Sequence, residues 1–570
     1  MTYTAVTFAP VQGFIEKSRK LRDLYGSSFL LSYLAESICR YAQSQFGENA
    51  VISPALTNVT KGTPNQIILR GEYPEADVRE VFKAAWGEIT QNCREWLEDH
   101  CQKYLKVHRA GWNEINLWTS GSVLPWQEDW ERWTNHAWEL FYATGQTITE
   151  VRQNLNEVKR ARAWIGINWI GESSTLSGAD GVAYPGMSLW TGKGAHQRAD
   201  WNEGRKQDEV RAFYQTLTGI EGLSAVFDDS EQLSIPELIK RLVTLRGMTE
   251  DPNRPMPFSS VVTNIHLRNL PPSFQELNRY QEDGQKTGWF MGDGDKAGDY
   301  LKQINDANDP DSEARELHCF SRALREWGEE AFENSLPQNL GRVIYAGGDD
   351  FLGVLYRNEE PELKATECLA WFYDFPDVWK QHQQPITVSV GFVWAYPQVP
   401  QRDILQHCRE AEKSAKSNGR DRLALRIVFN GGNYLEWACP WRFLESIFQG
   451  YRDQEGKNNW GHFYSDVAAL EARRAFSRDN TDIAEAIFKI YFPSVSLNWD
   501  NLESADNREW WNQTIPQTVN HKTVQVLQGG ILGDPDSFQS SPDENRRQKI
   551  NRAVNRWVVN LAKVGFHLCR

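Results

Sequence analysis

The sequence lacks the features that mark membrane, secreted and zinc-binding proteins. No stretch approaches the roughly 18 consecutive apolar residues of a membrane helix, so no membrane partner is expected. The N-terminus shows no signal-peptide pattern, which favours a cytoplasmic location. The eight cysteines form no C-x-x-C pair, so neither a disulfide framework nor a cysteine zinc site is predicted.

Positive charge is also scarce. The chain has 62 Lys and Arg against 76 Asp and Glu, a formal net charge of -14. A surface that wraps nucleic acid by itself needs an excess of Lys and Arg, so only local basic patches remain for such contacts. The length of 570 residues exceeds what one core supports, and several domains are expected.

Two runs of alternating strand and helix patterns are present. The first, over residues 2–108, has a β-α-β-β-α order. The second begins at 287 and has a β-α-β-β-α-β order with an added helix and strand, which is the ferredoxin-like pattern. From Glu436 onward the chain is charged and patterned as helix. The predicted fold class is therefore α+β with several domains.

The second run places carboxylates at two strand ends. In RVIYAGGDDFLGVL (342–355), Asp349 and Asp350 occupy the turn of a hairpin, and Asp293 follows the strand TGWFMG. One sheet would bring these acids together, and like charges this close repel unless divalent cations neutralise them. Mg²⁺ prefers such oxygen ligands, and two ions bound with a triphosphate can drive phosphoryl transfer.

Neighbouring residues fit the same chemistry. Gly347 and Gly348 are expected to allow a positive φ at the turn and to leave room for a nucleotide. Lys416 is on the polar face of a following helix, where it could reach a triphosphate or simply be solvated. GGDD alone is ordinary hairpin composition, and its pairing with Asp293 is what favours catalysis. The first run has no acid at the matching positions and cannot build this metal site.

These residues resemble the large palm-domain subunit of type III CRISPR effector complexes, closest to the Cmr branch. The resemblance spans most of residues 1–430, in the family's order. It is carried by APVQGFIEKSRKLRDLYGSSFLLSYL, TPNQ, EQLSIPELIKRL, MGDGDKAG, HCFSRAL, RVIYAGGDDFLGVL, ITVSVGFVWA and AEKSAKSNGRDRLAL.

The resemblance implies two ferredoxin-like palm domains facing each other with ATP between them, the second similar to GGDEF and polymerase palms. A small helical domain and a C-terminal helical bundle complete the chain. The expected divisions are a first palm at 1–110, a Trp-rich insertion with a degenerate zinc knuckle at 111–200, the helical domain at 201–280, the second palm at 281–435 and the C-terminal domain at 436–570.

The implied activity is conversion of ATP into cyclic oligoadenylate, a second messenger in antiviral defence. Two Mg²⁺ or Mn²⁺ ions would be needed. By motif position, the implied metal ligands are Asp293, Asp349 and Asp350, with Asp295 assisting. The implied nucleotide-binding residues are Gly294, Gly347 and Gly348, with Ser321 at the base and Lys416 at the triphosphate.

The implied partners are a guide RNA, its target RNA, and the backbone and small CRISPR subunits of a ribonucleoprotein. Many relatives carry an HD nuclease domain, but this sequence has no His-Asp dipeptide, so we predict no metal-dependent DNase. The family's zinc-binding C-x-x-C aligns with Ser174–Ser177. Serine hydroxyls are poor zinc ligands, and no zinc is expected there.

Two other functions compete with this one. A diguanylate cyclase shares the hairpin and a stretch like AKSNGRDR, although Asp350 stands where that family has Glu, and the duplicated palm also argues against it. A noncatalytic assembly subunit would use the same acids to bind only a structural cation. The identity of the product distinguishes a diguanylate cyclase from a cyclic oligoadenylate synthase. Loss of turnover when the acids are replaced distinguishes an enzyme from a noncatalytic subunit.

Overall fold

A computed structural model describes residues 2–108, 125–162, 172–185, 203–220, 223–224, 226–245, 284–304, 309, 311–337, 339–357, 360–519, 522–541 and 544–569. The chain divides into two compact units. One comprises Met1–Glu276 with Asn308–Arg322, and the other Leu277–Ala307 with Ala323–Arg570. Within the described part of the chain, no helix is both long enough and apolar enough to cross a membrane.

The first unit contains a four-stranded antiparallel sheet with the order β2-β3-β1-β4. Its strands are β1 (Tyr3–Ala9), β2 (Val51–Ser53), β3 (Ile67–Arg70) and β4 (Glu139–Gly145). The connecting helices are Val11–Glu16, Leu21–Phe46 and Glu75–His108. This order confirms a ferredoxin-like fold, and its fourth strand comes from the Trp-rich segment, where no strand was predicted.

Helices outside this sheet complete the first unit. They are Pro125–His136, Ile148–Arg160, Glu203–Gly219 and Ile235–Leu242. The apolar pattern of SIPELIKRLVTL (234–245) predicts the last of these helices, and the structure confirms it. It begins with a capping box between Ser234 and Glu237. The stretch DPNRPMPFSS (251–260), whose composition predicts a loop, lies outside the described residues. Trp126, Trp130 and Trp133 are buried, so these indoles fill the core.

The loop at Ser174–Ser177, which the resemblance aligns with a zinc knuckle, is held by hydrogen bonds between side chains. The Ser174 and Ser177 hydroxyl oxygens lie 3.2 Å apart, and Ser174 donates to Oε1 of Glu237 at 3.1 Å. Both serines are buried. These bonds tie the loop to the N-terminus of helix Ile235–Leu242.

The second unit contains a six-stranded sheet with the order β10-β9-β8-β5-β7-β6. Its strands are β5 (Thr287–Gly294), β6 (Gly341–Ala346), β7 (Asp350–Leu355), β8 (Val388–Ala395), β9 (Arg422–Val428) and β10 (Tyr434–Pro440). Helices Ala297–Ile304, Ala365–Lys380 and Gln401–Ser417 connect them. Helix Ser312–Glu326 also lies between β5 and β6 in the chain, but its residues up to Arg322 are counted in the first unit. Strands β8-β5-β7-β6 confirm the ferredoxin-like core, and β9 adds to it in parallel with β8.

Helix Gln401–Ser417 covers the face of this sheet that carries Asp293. Gly391 pairs with Met291, and a side chain at Gly391 would overlap backbone atoms of Cys408 and Glu412 on the helix. Because side chains alternate along a strand, Met291 and Asp293 point to the same face. The helix therefore runs beside the predicted site.

The C-terminal part is less helical than predicted. Tyr434–Pro440 is not helix but the edge strand β10, which pairs with β9 along its whole length. A hairpin of β11 (Gln513–Val519) and β12 (Lys522–Gln528) also lies among the helices. Those helices are Trp441–Gly450, Trp460–Ala472, Asp482–Tyr491 and Arg546–Leu568.

Candidate functional site

The register of the second sheet sets Asp293 directly opposite Asp350. The two are cross-strand partners between β5 and β7, and Asp293 also pairs with Ser389 on β8. Directly opposed side chains in an antiparallel pair lie on one face, with Cβ atoms about 5 Å apart. Two of the three predicted acids therefore stand side by side, with a serine completing the row.

The hairpin tip holds Asp349 beside the same strand end. The Gly294 N–H donates to the Asp349 carbonyl oxygen at 3.0 Å, and the Gly347 N–H donates to the Asp350 carbonyl oxygen at 3.1 Å. A Cβ on Gly294 would lie only 3.0 Å from that of Asp349. Close approach to the hairpin thus requires a glycine at the end of β5.

The expected role of the hairpin glycines is wrong in one respect. Neither Gly347 nor Gly348 has a positive φ. Gly347 is needed instead because a side chain there would overlap the Tyr345 ring and hydroxyl. The constraint is the space taken by the tyrosine, a packing effect that the GG dipeptide does not reveal.

Asp350 is the most perturbed carboxyl of the site. Desolvation by the surrounding protein, together with the negative charges of Asp349 and Asp293, raises the pKa of Asp350 to about 7. A hydrogen bond from the Tyr345 hydroxyl opposes this shift. The residue is nevertheless exposed to solvent. A cation can therefore reach the carboxyl directly and relieve the repulsion that favours its protonated form.

Lys416 lies within this acidic group. Its ammonium forms an ion pair with Asp293 and another with Glu412 at 2.7 Å. Partial burial opposes the charge of the lysine, but the two carboxylates raise the pKa of Lys416. Lys416 therefore lies among the acids, whereas the neighbouring Lys413 is exposed, and the binding of a triphosphate by Lys416 stays a prediction.

Asp295 has a different environment from the other acids. Only 4% of it is exposed, and its carboxylate accepts hydrogen bonds from Ser389, Thr387 and the Asp421 N–H. Burial raises the pKa of Asp295, although these three donors favour its charged form. It lies beside the site but is occupied by protein donors.

Ser321 belongs to the first unit, whereas the carboxylates belong to the second. Its hydroxyl oxygen accepts a hydrogen bond from the Ala55 N–H at 3.0 Å and lies 3.5 Å from the Ser53 hydroxyl. Its assignment to the base of a nucleotide stays a prediction.

No sequence motif marks Arg325, a buried cation behind the hairpin. Its guanidinium donates to the Ala346 carbonyl oxygen at 2.7 Å and pairs with Glu329 at 3.1 Å. The bond to Ala346 fixes the end of β6 where the turn begins. Helical spacing alone does not distinguish this arginine from a solvated one.

The donor set partly fits the expected metal ions. Among the described residues, no group of three or more His, Cys, Asp or Glu side chains is arranged to hold a metal ion. Mg²⁺ commonly takes one or two carboxylates and completes its shell with water and substrate phosphates. The Asp293–Asp350 pair offers that smaller set, and the full list of ligands stays a prediction.

A ferredoxin-like sheet with carboxylates on its central strand and hairpin is the architecture of a palm domain. Residues 286–424 match the family model described as Cas10/Cmr2, second palm domain, and residues 3–105 match the model for CRISPR-associated protein Cmr2, N-terminal. These two matches confirm the resemblance drawn from the motifs.

Solved structures give matches of low identity. A type III-B Cmr-beta complex bound to cognate target RNA contains a chain matched at 11% identity and a TM-score of 0.48, covering 98% of this chain and 82% of that one. A Csm1–Csm4 cassette in complex with one ATP matches at 14% identity and a TM-score of 0.40, covering 86% and 65%. A search of curated proteins found no match.

Proposed function

We propose that this protein is the large subunit of a Cmr-like type III CRISPR ribonucleoprotein that converts ATP into cyclic oligoadenylate when target RNA is recognised. The observation that carries the proposal is the pairing of Asp293 with Asp350 across two strands, with Lys416 at the same point. Paired carboxylates beside a lysine suit nucleotidyl transfer, because both metal ions and phosphates must be held there.

Different residues of the chain would bind the metal ions, bind the triphosphate and leave space for the nucleotide. Asp293 and Asp350, with Asp349 at the tip, would hold the divalent ions, which supply charge neutralisation and activation of the attacking hydroxyl. Asp350 must lose its proton to serve as a ligand. Lys416 would exchange its carboxylate partners for triphosphate oxygens, since an ammonium binds either anion. Gly347 and Gly348 would leave the tip open to the nucleotide.

The partners follow from the same family. One matched complex is described as bound to cognate target RNA, and other matched chains are described with a Csm4 subunit and with ATP. By extension, we expect this chain to assemble in the cytoplasm with a guide RNA and with backbone and small CRISPR subunits. The net charge of -14 suits a subunit whose partners provide most of the RNA-binding surface.

The test supplies the purified complex with guide RNA, complementary target RNA, Mg²⁺ and either ATP or GTP, and identifies the products by mass spectrometry. We expect cyclic oligoadenylate from the natural protein, and a loss of at least about 100-fold in the double variant Asp349→Ala, Asp350→Ala. Assembly of that variant should be unchanged. Cyclic di-GMP from GTP would favour the diguanylate cyclase, and unchanged turnover in the double variant would show that these acids are not the catalyst.

A further inference from the structure

The Asp295 carboxylate is saturated by donors from three parts of the second unit. Its Oδ1 accepts from the Ser389 hydroxyl at 2.7 Å, and its Oδ2 accepts from the Thr387 hydroxyl at 2.9 Å and the Asp421 N–H at 3.0 Å. Its own N–H donates to the Thr387 carbonyl oxygen at 2.8 Å. A carboxylate offers about four acceptor positions, so most of its capacity is used within the protein.

These bonds join the elements that carry the site. Thr387 and Ser389 lie at the start of β8, and Ser389 is the cross-strand partner of Asp293. Asp421 lies in the turn between Lys416 and β9. Asp295 therefore connects the exit of β5, the start of β8 and the turn that follows the helix of Lys416.

The connection continues into the C-terminal segment. The Asp421 carboxylate accepts from the Gly529 N–H at 2.8 Å. The buried Arg422 guanidinium donates to the carbonyl oxygens of Gly530 and Ile531 at 2.7 and 3.0 Å. The turn that Asp295 holds on one side is thus held by residues 529–531 on the other.

We infer that Asp295 is a positioning residue rather than a metal ligand. It fixes Asp293 opposite Asp350, and it fixes the turn after Lys416 so that the ammonium reaches the same point. This inference rests on the proposed function for its readout in turnover. The same geometry indicates that Asp295 contributes no ligand to a divalent ion bound at Asp293 and Asp350. Metal binding tests this consequence without a measurement of turnover.

Substitution by asparagine separates the two roles. In Asp295→Asn the amide oxygen can still accept from Thr387 and Asp421, and the amide N–H can donate to the Ser389 hydroxyl, which also accepts. A positioning role therefore survives this change, whereas a metal ligand loses its charge. Asp295→Ala removes every bond, and misplacing reacting groups by about 1 Å costs on the order of 100-fold in rate.

The experiment compares the assembled complex carrying Asp295→Asn, Asp295→Ala, Ser389→Ala or Asp293→Asn. We expect Asp295→Asn to keep turnover and half-saturating Mn²⁺ within about threefold of the natural protein. Asp293→Asn should lose at least about 100-fold and bind Mn²⁺ weakly. Asp295→Ala and Ser389→Ala should lower kcat about 10-fold or more, with the KM for ATP nearly unchanged.

A rise in half-saturating Mn²⁺ for Asp295→Asn that matches Asp293→Asn would overturn the inference, as would full activity of both Asp295→Ala and Ser389→Ala. Thermal unfolding of each variant shows whether Asp295→Ala folds, and Ser389→Ala replaces it if not. If the natural complex makes no product, the proposed function fails. Direct Mn²⁺ titration followed by electron paramagnetic resonance still decides whether Asp295 is a ligand.

Discussion

At the scale of single residues, the acids of the site differ in whether a positively charged side chain neutralises them. Asp293 is paired with Lys416, whereas Asp350 faces Asp349 and Asp293 and lacks such a partner among the ion pairs formed by the described residues. A divalent ion would remove this imbalance, and a triphosphate would then compete for the lysine.

Lys416→Ala tests the exchange of partners by the lysine. We expect the KM for ATP to rise about tenfold and turnover to fall, because a charge-assisted contact to phosphate is lost. Steady-state kinetics of the assembled complex measure both values. Lys413→Ala, on the exposed side of the same helix, is the matched control and should change neither. An unchanged KM in Lys416→Ala would place the triphosphate elsewhere.

A buried lysine in the first unit predicts a pH dependence of stability. Lys240 donates to the carbonyl oxygens of Phe14 and Lys17, and burial lowers the pKa of Lys240 to about 7, although Asp23 and Glu237 oppose this shift. Between pH 7 and the ordinary value of 10.5, the unfolded chain binds a proton that the folded chain lacks. The free energy of unfolding should therefore rise with pH in this window.

Lys240→Met removes this titration. We expect the melting temperature of the natural protein to rise relative to that of the variant between pH 7 and pH 9.5, because the other titrating groups are common to both. Differential scanning calorimetry at the two pH values measures the difference. Parallel changes in the two proteins would show that Lys240 keeps its ordinary pKa.

That Asp293, Asp350 and Lys416 lie together could be predicted from the sequence, because they stand in short motifs at strand and helix ends. The contributions of Tyr345, Arg325 and Ser389 could not be predicted, since each depends on strand register or on helix packing over distant positions. The separate role of Asp295 also comes from register, because D-G-D gives both aspartates the same appearance.

At the scale of elements, the second sheet is shaped by rings that lie over glycines. A Cβ on Gly292 would overlap the Phe351 ring, and one on Gly353 would overlap the Phe290 ring. These rings pack with Trp371, Phe332 and Phe375 in the core. Aromatic packing on the sheet face opposite Asp293 therefore holds β5, the strand that ends in this residue, in position.

Gly292→Ala should disturb this aromatic packing against β5. Overpacking a filled core costs about 1 to 3 kcal/mol, so we expect a lower melting temperature together with reduced turnover. Gly298→Ala is the control, because the position is helical and no atom lies within 4 Å of the added Cβ. That variant should be neutral or slightly stabilised. Equal melting temperatures for both variants would contradict the packing account.

Strands of the second sheet were predictable because they are β-branched or apolar runs bounded by turn residues. Strand β4 was not, since ELFYATG lies inside a Trp-rich stretch whose composition hides a short alternation. Strand β10 reads as part of a charged helical region, and it forms a strand because the free edge of β9 supplies hydrogen-bond partners.

At the scale of the whole molecule, the C-terminal segment at 512–533 packs within the second unit, against the turn that follows Lys416. Gly533 has a φ of 82°, and a Cβ there would overlap the Asn418 carbonyl oxygen. Asn512 donates to the Gly419 carbonyl oxygen at 2.8 Å. The segment thus closes over the turn that follows Lys416.

Gly533→Ala should loosen that closure. We expect a loss of about 1 to 3 kcal/mol in stability, because the residue must adopt a left-handed conformation and meets backbone. Turnover should fall as well, since the turn positions Lys416. Gly431→Ala, where no atom lies within 4 Å of the added Cβ, is the control. Thermal unfolding and product assays would be made on both, and normal activity of a destabilised Gly533→Ala would disconnect the segment from the site.

In the proposed function, Asp293 and Asp350 share a divalent ion with ATP. Crystals of the complex soaked with Mn²⁺ and a non-hydrolysable ATP analogue would locate the ion by its anomalous scattering. The account predicts a peak within about 2.5 Å of oxygen atoms from both carboxylates and from the triphosphate. A bound analogue with no peak there, or with the metal held away from either carboxylate, would contradict it.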